Sequence, residues 1–189
     1  MEYKQGFHIR LYEQENGERM VKLADVMFLL DTTGSMDFAI NAMKNCIGEV
    51  SKIYLESRIN VRIGLSEFRD RKLTDGEDEL IRGRSYPTFR ITKSDSEDDF
   101  THDISQLIRN LEDLRAEGGG PEPESSFDAL HLVSNNSKWR KGAHRILILI
   151  TDAPPNLPDF EIKSTRNLIN SLNNCSINQI HIVCPREHQ

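Results

Sequence analysis

The chain has 189 residues, 37% hydrophobic and 29% charged, with a formal net charge of -6. That length suits one domain with a single core, and that balance excludes a disordered chain. Net acidity argues against a nucleic-acid partner, which calls for basic surface, and no apolar run approaches the roughly 20 residues that span a bilayer. The three cysteines, Cys46, Cys175 and Cys184, form no C-x-x-C pair and are odd in number, so they read as free thiols in a reducing compartment. Residues 1–18 have no apolar core of a signal peptide. Together these point to a cytoplasmic protein.

Residues 1–20 are polar and mixed, and read as an N-terminal arm or extra strand ahead of a domain over 21–189. Lys22 to Leu30 is a nearly continuous apolar run, as expected of a strand buried on both faces. It ends at Asp31-Thr32-Thr33-Gly34-Ser35. Met36, Ile40, Met43, Ile47, Val50 and Tyr54 then recur at helical steps and predict a long helix. Asn60 to Phe68 alternates as a second strand, and 69–85 reads as a charged surface loop. Tyr86 to Thr92 predicts a short edge strand.

Phe100, Ile104, Leu107, Ile108, Leu111 and Leu114 mark an amphipathic helix, broken by Gly118-Gly119-Gly120. Another helix starts near Pro123, with Phe127, Leu130 and Val133 on its buried side. Arg145 to Thr151 carries five consecutive Ile and Leu residues, the strongest strand signal in the chain. Ile162, Leu168, Ile169 and Leu172 predict a helix and Gln179 to Val183 a last strand. Trp139 reads either as an exposed contact or as a core anchor. Alternating strands and helices predict an α/β fold: a doubly wound, mostly parallel sheet with helices on both faces.

In such sheets ligands bind beyond the carboxyl ends of the strands. Two polar stretches fall there, Asp31 to Ser35 and Thr151-Asp152, and they meet in one crevice if their strands are neighbours. Asp31, Thr33 and Ser35 are spaced by two, which in an extended loop points three oxygen-bearing side chains the same way. Carboxylates and hydroxyls suit Mg²⁺, Mn²⁺ or Ca²⁺, and no His or Cys cluster favours zinc. The competing reading is helix capping by Asp31 and Ser35.

Asp31-Thr32-Thr33-Gly34-Ser35 resembles the D-x-[ST]-x-S signature of von Willebrand factor type A domains, with Asp152 matching the aspartate after a later apolar strand. The stretch Gly118-Gly119-Gly120-Pro121-Glu122-Pro123-Glu124 is similar to the G-G-G-x-x-P-E loop of one subgroup. The resemblance covers roughly Leu23 to Pro185 and implies a Rossmann-like fold with a metal-ion-dependent adhesion site at Asp31, Thr33, Ser35, Glu124 and Asp152. Family members usually carry a further strand and helix after the last strand seen here.

It further implies that the domain is no enzyme. It would be a metal-dependent protein-binding module, whose cation takes a carboxylate from a protein partner, with no nucleic acid or membrane involved and other domains of a larger protein alongside. A third carboxylate on the ion would weaken its pull on that partner, so Glu124 is expected to act through water. Two other classes stand beside this reading. One is a Mg²⁺-dependent phosphohydrolase with Asp31 as nucleophile, which would want a second acid where Thr33 stands. The other is a structural scaffold with no metal function.

Overall fold

The structure is a computed structural model that describes residues 22–42, 59–69, 89–92, 98–116 and 123–184. A five-stranded sheet runs through it: β1 (Lys22–Asp31), β2 (Ile59–Phe68), β3 (Phe89–Thr92), β4 (His144–Ile150) and β5 (Gln179–Val183). The order is β3-β2-β1-β4-β5. β1, β2, β4 and β5 are parallel, and β3 runs antiparallel on the edge beside β2. The predicted arm over 1–20, the loop over 70–88 and the three glycines lie outside the described residues.

β1 is central because its sequence is apolar on both sides. Met27 and Leu29 face one layer with Leu147 and Leu149 of β4. Leu30, with Ile63 and Leu65 of β2, faces the opposite layer. The first layer is covered by α3 (Ser126–Asn136) and α4 (Thr165–Asn174), through Leu130, Val133, Leu168 and Leu172. The second is covered by α2 (Ile104–Glu112), through Leu107 and Leu111, and by Ile40 of a helix, α1, whose described part is residues 37–42. Burying each of these side chains stabilises the fold by roughly 1.5–3 kcal/mol, so the two layers hold the sheet between them. The doubly wound, mostly parallel fold is therefore the one expected from the alternation of elements.

Several boundaries differ from the pattern reading. Phe100 and Leu114 lie outside α2 although both are buried, because Thr101 bridges to Ile63 and Asp103 caps the helix by accepting from Ser105 N. Ile162 is buried in the core from a loop, three residues before α4 begins at Thr165. Ile169 does not join the core stripe of α4 and is 52% exposed. Trp139 is a core anchor: its ring packs 4.9 Å from Phe100 and its Nε1 donates to Ser134 O at 3.0 Å. Among the described residues no helix is long and apolar enough to cross a membrane.

One face of β1 reads Asp25, Met27, Leu29, Asp31, and all four side chains are fully buried. Alternation along a strand thus puts a carboxylate at each end of one apolar row. At the lower end Asp25 is neutralised. Arg62 Nε and Nη2 donate to its two oxygens at 3.1 and 3.0 Å, and Arg140 N and Nε donate at 2.7 Å each. Burial works to raise the Asp25 carboxyl, but those bonds outweigh it and hold the group below its ordinary value. The upper end of the row is different.

Candidate metal centre

β1 and β4 are hydrogen-bonded neighbours, with Leu30 opposite Ile150, so the two polar stretches after them emerge side by side. Asp31 closes β1 and Thr33 is extended (φ -66°, ψ 161°) before a 3₁₀ turn over Gly34–Met36. Ser35 lies inside that turn rather than before it. Thr33 occupies the position before the turn, and its side chain makes no cap bond.

Instead the oxygens converge on Asp31. Thr33 donates to Asp31 Oδ1 twice, from N at 2.9 Å and from Oγ1 at 2.7 Å. Thr33 Oγ1 lies 3.4 Å from Ser35 Oγ. From the neighbouring strand end, Thr151 Oγ1 donates to Asp31 Oδ2 at 2.7 Å. A hydroxyl that gives its proton to a carboxylate keeps its lone pairs, and those suit a hard cation. The side-chain oxygens of Asp31, Thr33 and Ser35 thus lie together, and that of Thr151 joins them.

The electrostatics of this end are unsettled. Burial pushes the Asp31 carboxyl above its ordinary value, ahead of the hydrogen bonds from Thr33 and Thr151 that lower it, and repulsion from Asp152 pushes it further. Among the described residues no arginine, lysine or histidine pairs with Asp31 or Asp152. Asp152 is half-buried, and its Oδ1 is enclosed without a hydrogen-bond partner there. Two neighbouring carboxylates, two hydroxyls bonded to one of them and a third beside those form a donor set that fits a small divalent ion.

Glu124 is 3% exposed and is fixed by its backbone: its N–H donates to Pro154 O at 3.0 Å and its carbonyl accepts from Asn156 N at 2.7 Å. This bridge ties the segment before α3 to the loop that begins at Asp152. However, among the described residues no three of the His, Cys, Asp and Glu side chains form a metal-holding group, so Asp31, Glu124 and Asp152 are no three-carboxylate cage. Hydroxyls, not a third acid, surround Asp31.

Two residues that pattern reading passed over shape this region. Asp128 on α3 is fully buried and accepts from Glu161 N at 3.0 Å and Ile162 N at 2.7 Å, which clamps the far end of the loop carrying Asp152. Thr32, also fully buried, donates to Phe68 O at 3.2 Å and accepts from Arg69 Nε at 3.1 Å, so a guanidinium borders the crevice. Neither has a local signal; each depends on a partner more than 30 residues away.

Comparison with known proteins bears mainly on the fold. No family model matches the chain. A protein named alpha-protein kinase vwkA, from Dictyostelium discoideum, is 27% identical over 138 residues. That match covers 72% of this chain, which spans only 19% of the relative's length. Among solved structures, proximal thread matrix protein 1 from the mussel byssus superposes over 87% of this chain and 38% of its own, with a TM-score of 0.55 and 13% identity. At that identity the likeness is one of fold.

Proposed function

We propose that the chain is a von Willebrand factor type A-like module that holds a divalent cation, Mg²⁺ by preference, between Asp31, Thr33 and Ser35 on one side and Asp152 on the other. The ion would present an open position to a carboxylate of a partner protein. The observation that carries this reading is the contrast within one strand row. Asp25 has two guanidinium groups; Asp31, equally buried, has hydroxyls and a neighbouring aspartate. A buried carboxylate without a counter-charge is costly, and a cation would remove that cost. Mg²⁺ keeps several waters when bound, which leaves room for a partner's oxygen. Glu124, outside any three-acid cluster among the described residues, would act on the ion through water.

In this reading the domain recognises rather than catalyses. Both Asp31 oxygens accept hydrogen bonds and the side chain is fully buried, a poor setting for a nucleophile. The kinase name belongs to a relative of which this chain matches a fifth, and phosphotransfer would reside elsewhere in such a protein. An odd number of cysteines with no C-x-x-C pair suits a reducing compartment, and on that ground we assign the domain to the cytoplasm.

Titration calorimetry with Mg²⁺ and Mn²⁺ tests the site directly. Binding by the wild type that Asp31→Ala and Asp152→Ala each remove is the expected result. A wild type that takes up neither ion at millimolar concentration would leave the scaffold reading in its place.

A further inference from the structure

We infer that Arg69 and Thr32 are positioning residues for the candidate metal site, which they brace without touching the ion; this rests on the metal reading above. Thr32 stands between Asp31 and Thr33, whose side chains bond each other. Its own hydroxyl bonds elsewhere, to the end of β2, where Phe68 lies opposite Asp31. Thr32 N donates to Phe68 O at 3.0 Å, and Thr32 Oγ1 donates to the same carbonyl at 3.2 Å. A hydroxyl has one proton and two acceptor lone pairs. With the proton committed to Phe68, a lone pair of Thr32 Oγ1 accepts from Arg69 Nε at 3.1 Å. Thr32 is fully buried, so bulk water does not compete for these bonds.

The second arm of the Arg69 fork, Nη2, donates at 3.1 Å to the carbonyl of Arg115, three residues beyond Glu112 at the end of α2. One guanidinium thus ties the metal motif to the segment that leaves α2. Its planar fork fixes the separation of two acceptors, which an ammonium on a flexible stem does not. The consequence falls on the ligands. Asp31 and Thr33 converge only while the residue between them keeps its orientation, and Thr32 is what this brace holds. Groups that orient metal ligands from behind set affinity although they touch no ion. The charge of Arg69 works the other way, because a cation beside a cation site weakens metal binding. Removing that charge therefore separates the two roles by sign.

The test measures Mg²⁺ binding to the whole 189-residue chain by calorimetry, with urea unfolding in a chelator as the reading of stability. Arg69→Gln removes the charge and the fork, whereas Arg69→Lys keeps the charge alone. Thr32→Val removes the hydroxyl at nearly constant shape, and Thr32→Ser keeps it. Arg69→Gln, Arg69→Lys and Thr32→Val should each weaken Mg²⁺ binding about tenfold, as loss of such supporting bonds does. Thr32→Ser should bind as the wild type does. The Thr32→Val/Arg69→Gln double variant should lose clearly less than the product of the two single losses, because both break the bond that joins them. Arg69→Lys and Thr32→Val carry the comparison if Arg69→Gln does not fold. Tighter Mg²⁺ binding by Arg69→Gln would show charge alone at work and overturns the inference. Lower stability in the chelator with unchanged Mg²⁺ affinity overturns it too, in favour of a purely structural brace, and so do losses that multiply in the double variant. A wild type that takes up no Mg²⁺ is a different result: it sinks the metal reading, and this inference with it.

Discussion

The hydroxyl of Thr151 donates to Asp31 Oδ2 at 2.7 Å, joining the ends of β4 and β1 across 120 residues of sequence. Both groups are buried, so neither can turn to water if the bond is lost. Thr151→Val keeps the shape and removes the donor. It should destabilise the fold by about 1–3 kcal/mol in urea unfolding. Thr151→Ser restores the hydroxyl and should recover most of that loss. Equal loss in both variants would show that the methyl group, not the bond, matters.

Asp31 carries a charge that burial disfavours, so its folded-state pKa stands above the ordinary value of 3.8. The folded protein therefore binds this proton more tightly than the unfolded chain. Its contribution to stability falls as pH rises from 3.8 through the folded value, and it is unfavourable at neutral pH. Asp31→Asn should accordingly raise the melting temperature in a chelator. The same substitution should abolish any rise in melting temperature that Mg²⁺ gives the wild type. Differential scanning calorimetry with and without Mg²⁺ reads both effects.

Asp25 titrates with the opposite sign. Its folded-state pKa is held below 3.8 by Arg62 and Arg140, so its stabilisation is complete above that value and is lost as pH falls through the folded one. Asp25→Asn leaves two guanidinium groups without their buried anion and should cost about 3–5 kcal/mol at neutral pH. Acid unfolding followed by circular dichroism should also become shallower below pH 3.8 in that variant. An unchanged acid limb would show that other carboxylates govern it.

Gly64 on β2 leaves no room for a side chain. A Cβ there would stand 2.6 Å from Met27 Cε and 2.7 Å from the backbone oxygen of Asp99. The methionine tip can turn, but the carbonyl belongs to a segment whose next residue but one, Thr101, is bridged to Ile63. Gly64→Ala should therefore destabilise the fold by about 1–3 kcal/mol, measurable as a lower urea midpoint. A neutral result would mean that the segment around Asp99 yields.

Much of this was legible because strand signals and strand-end chemistry are local. The apolar runs of β1 and β4 required burial on both faces, and two such strands side by side bring Asp31 and Thr151-Asp152 together. The alternation that marked Asn60 to Phe68 survives as β2, one residue longer. What local pattern missed depends on distant partners. The Asp25, Arg62 and Arg140 knot joins residues 37 and 115 positions apart, and nothing near Asp25 announces a buried charge. Ile169 matched a helical stripe but falls on the wet side of α4, because Leu168 and Leu172 already fill the contact. Glu124 sits next to a loop of matching letters, yet its backbone bridge to Pro154 and Asn156 could not be read from them.

The parallel pairing of β1 also governs how the chain reaches this fold. Its residues meet β2 partners 37 positions away and β4 partners 120 positions away, so neither ladder can begin as a hairpin. Both must wait for long loops to close, which slows folding relative to chains rich in local contacts. During synthesis β1 and β2 emerge well before β4, and the side of β1 that β4 will cover stays open in that interval. An apolar strand with an unpaired edge is a template for the wrong partner. Chains truncated before residue 144 should therefore aggregate rather than wait.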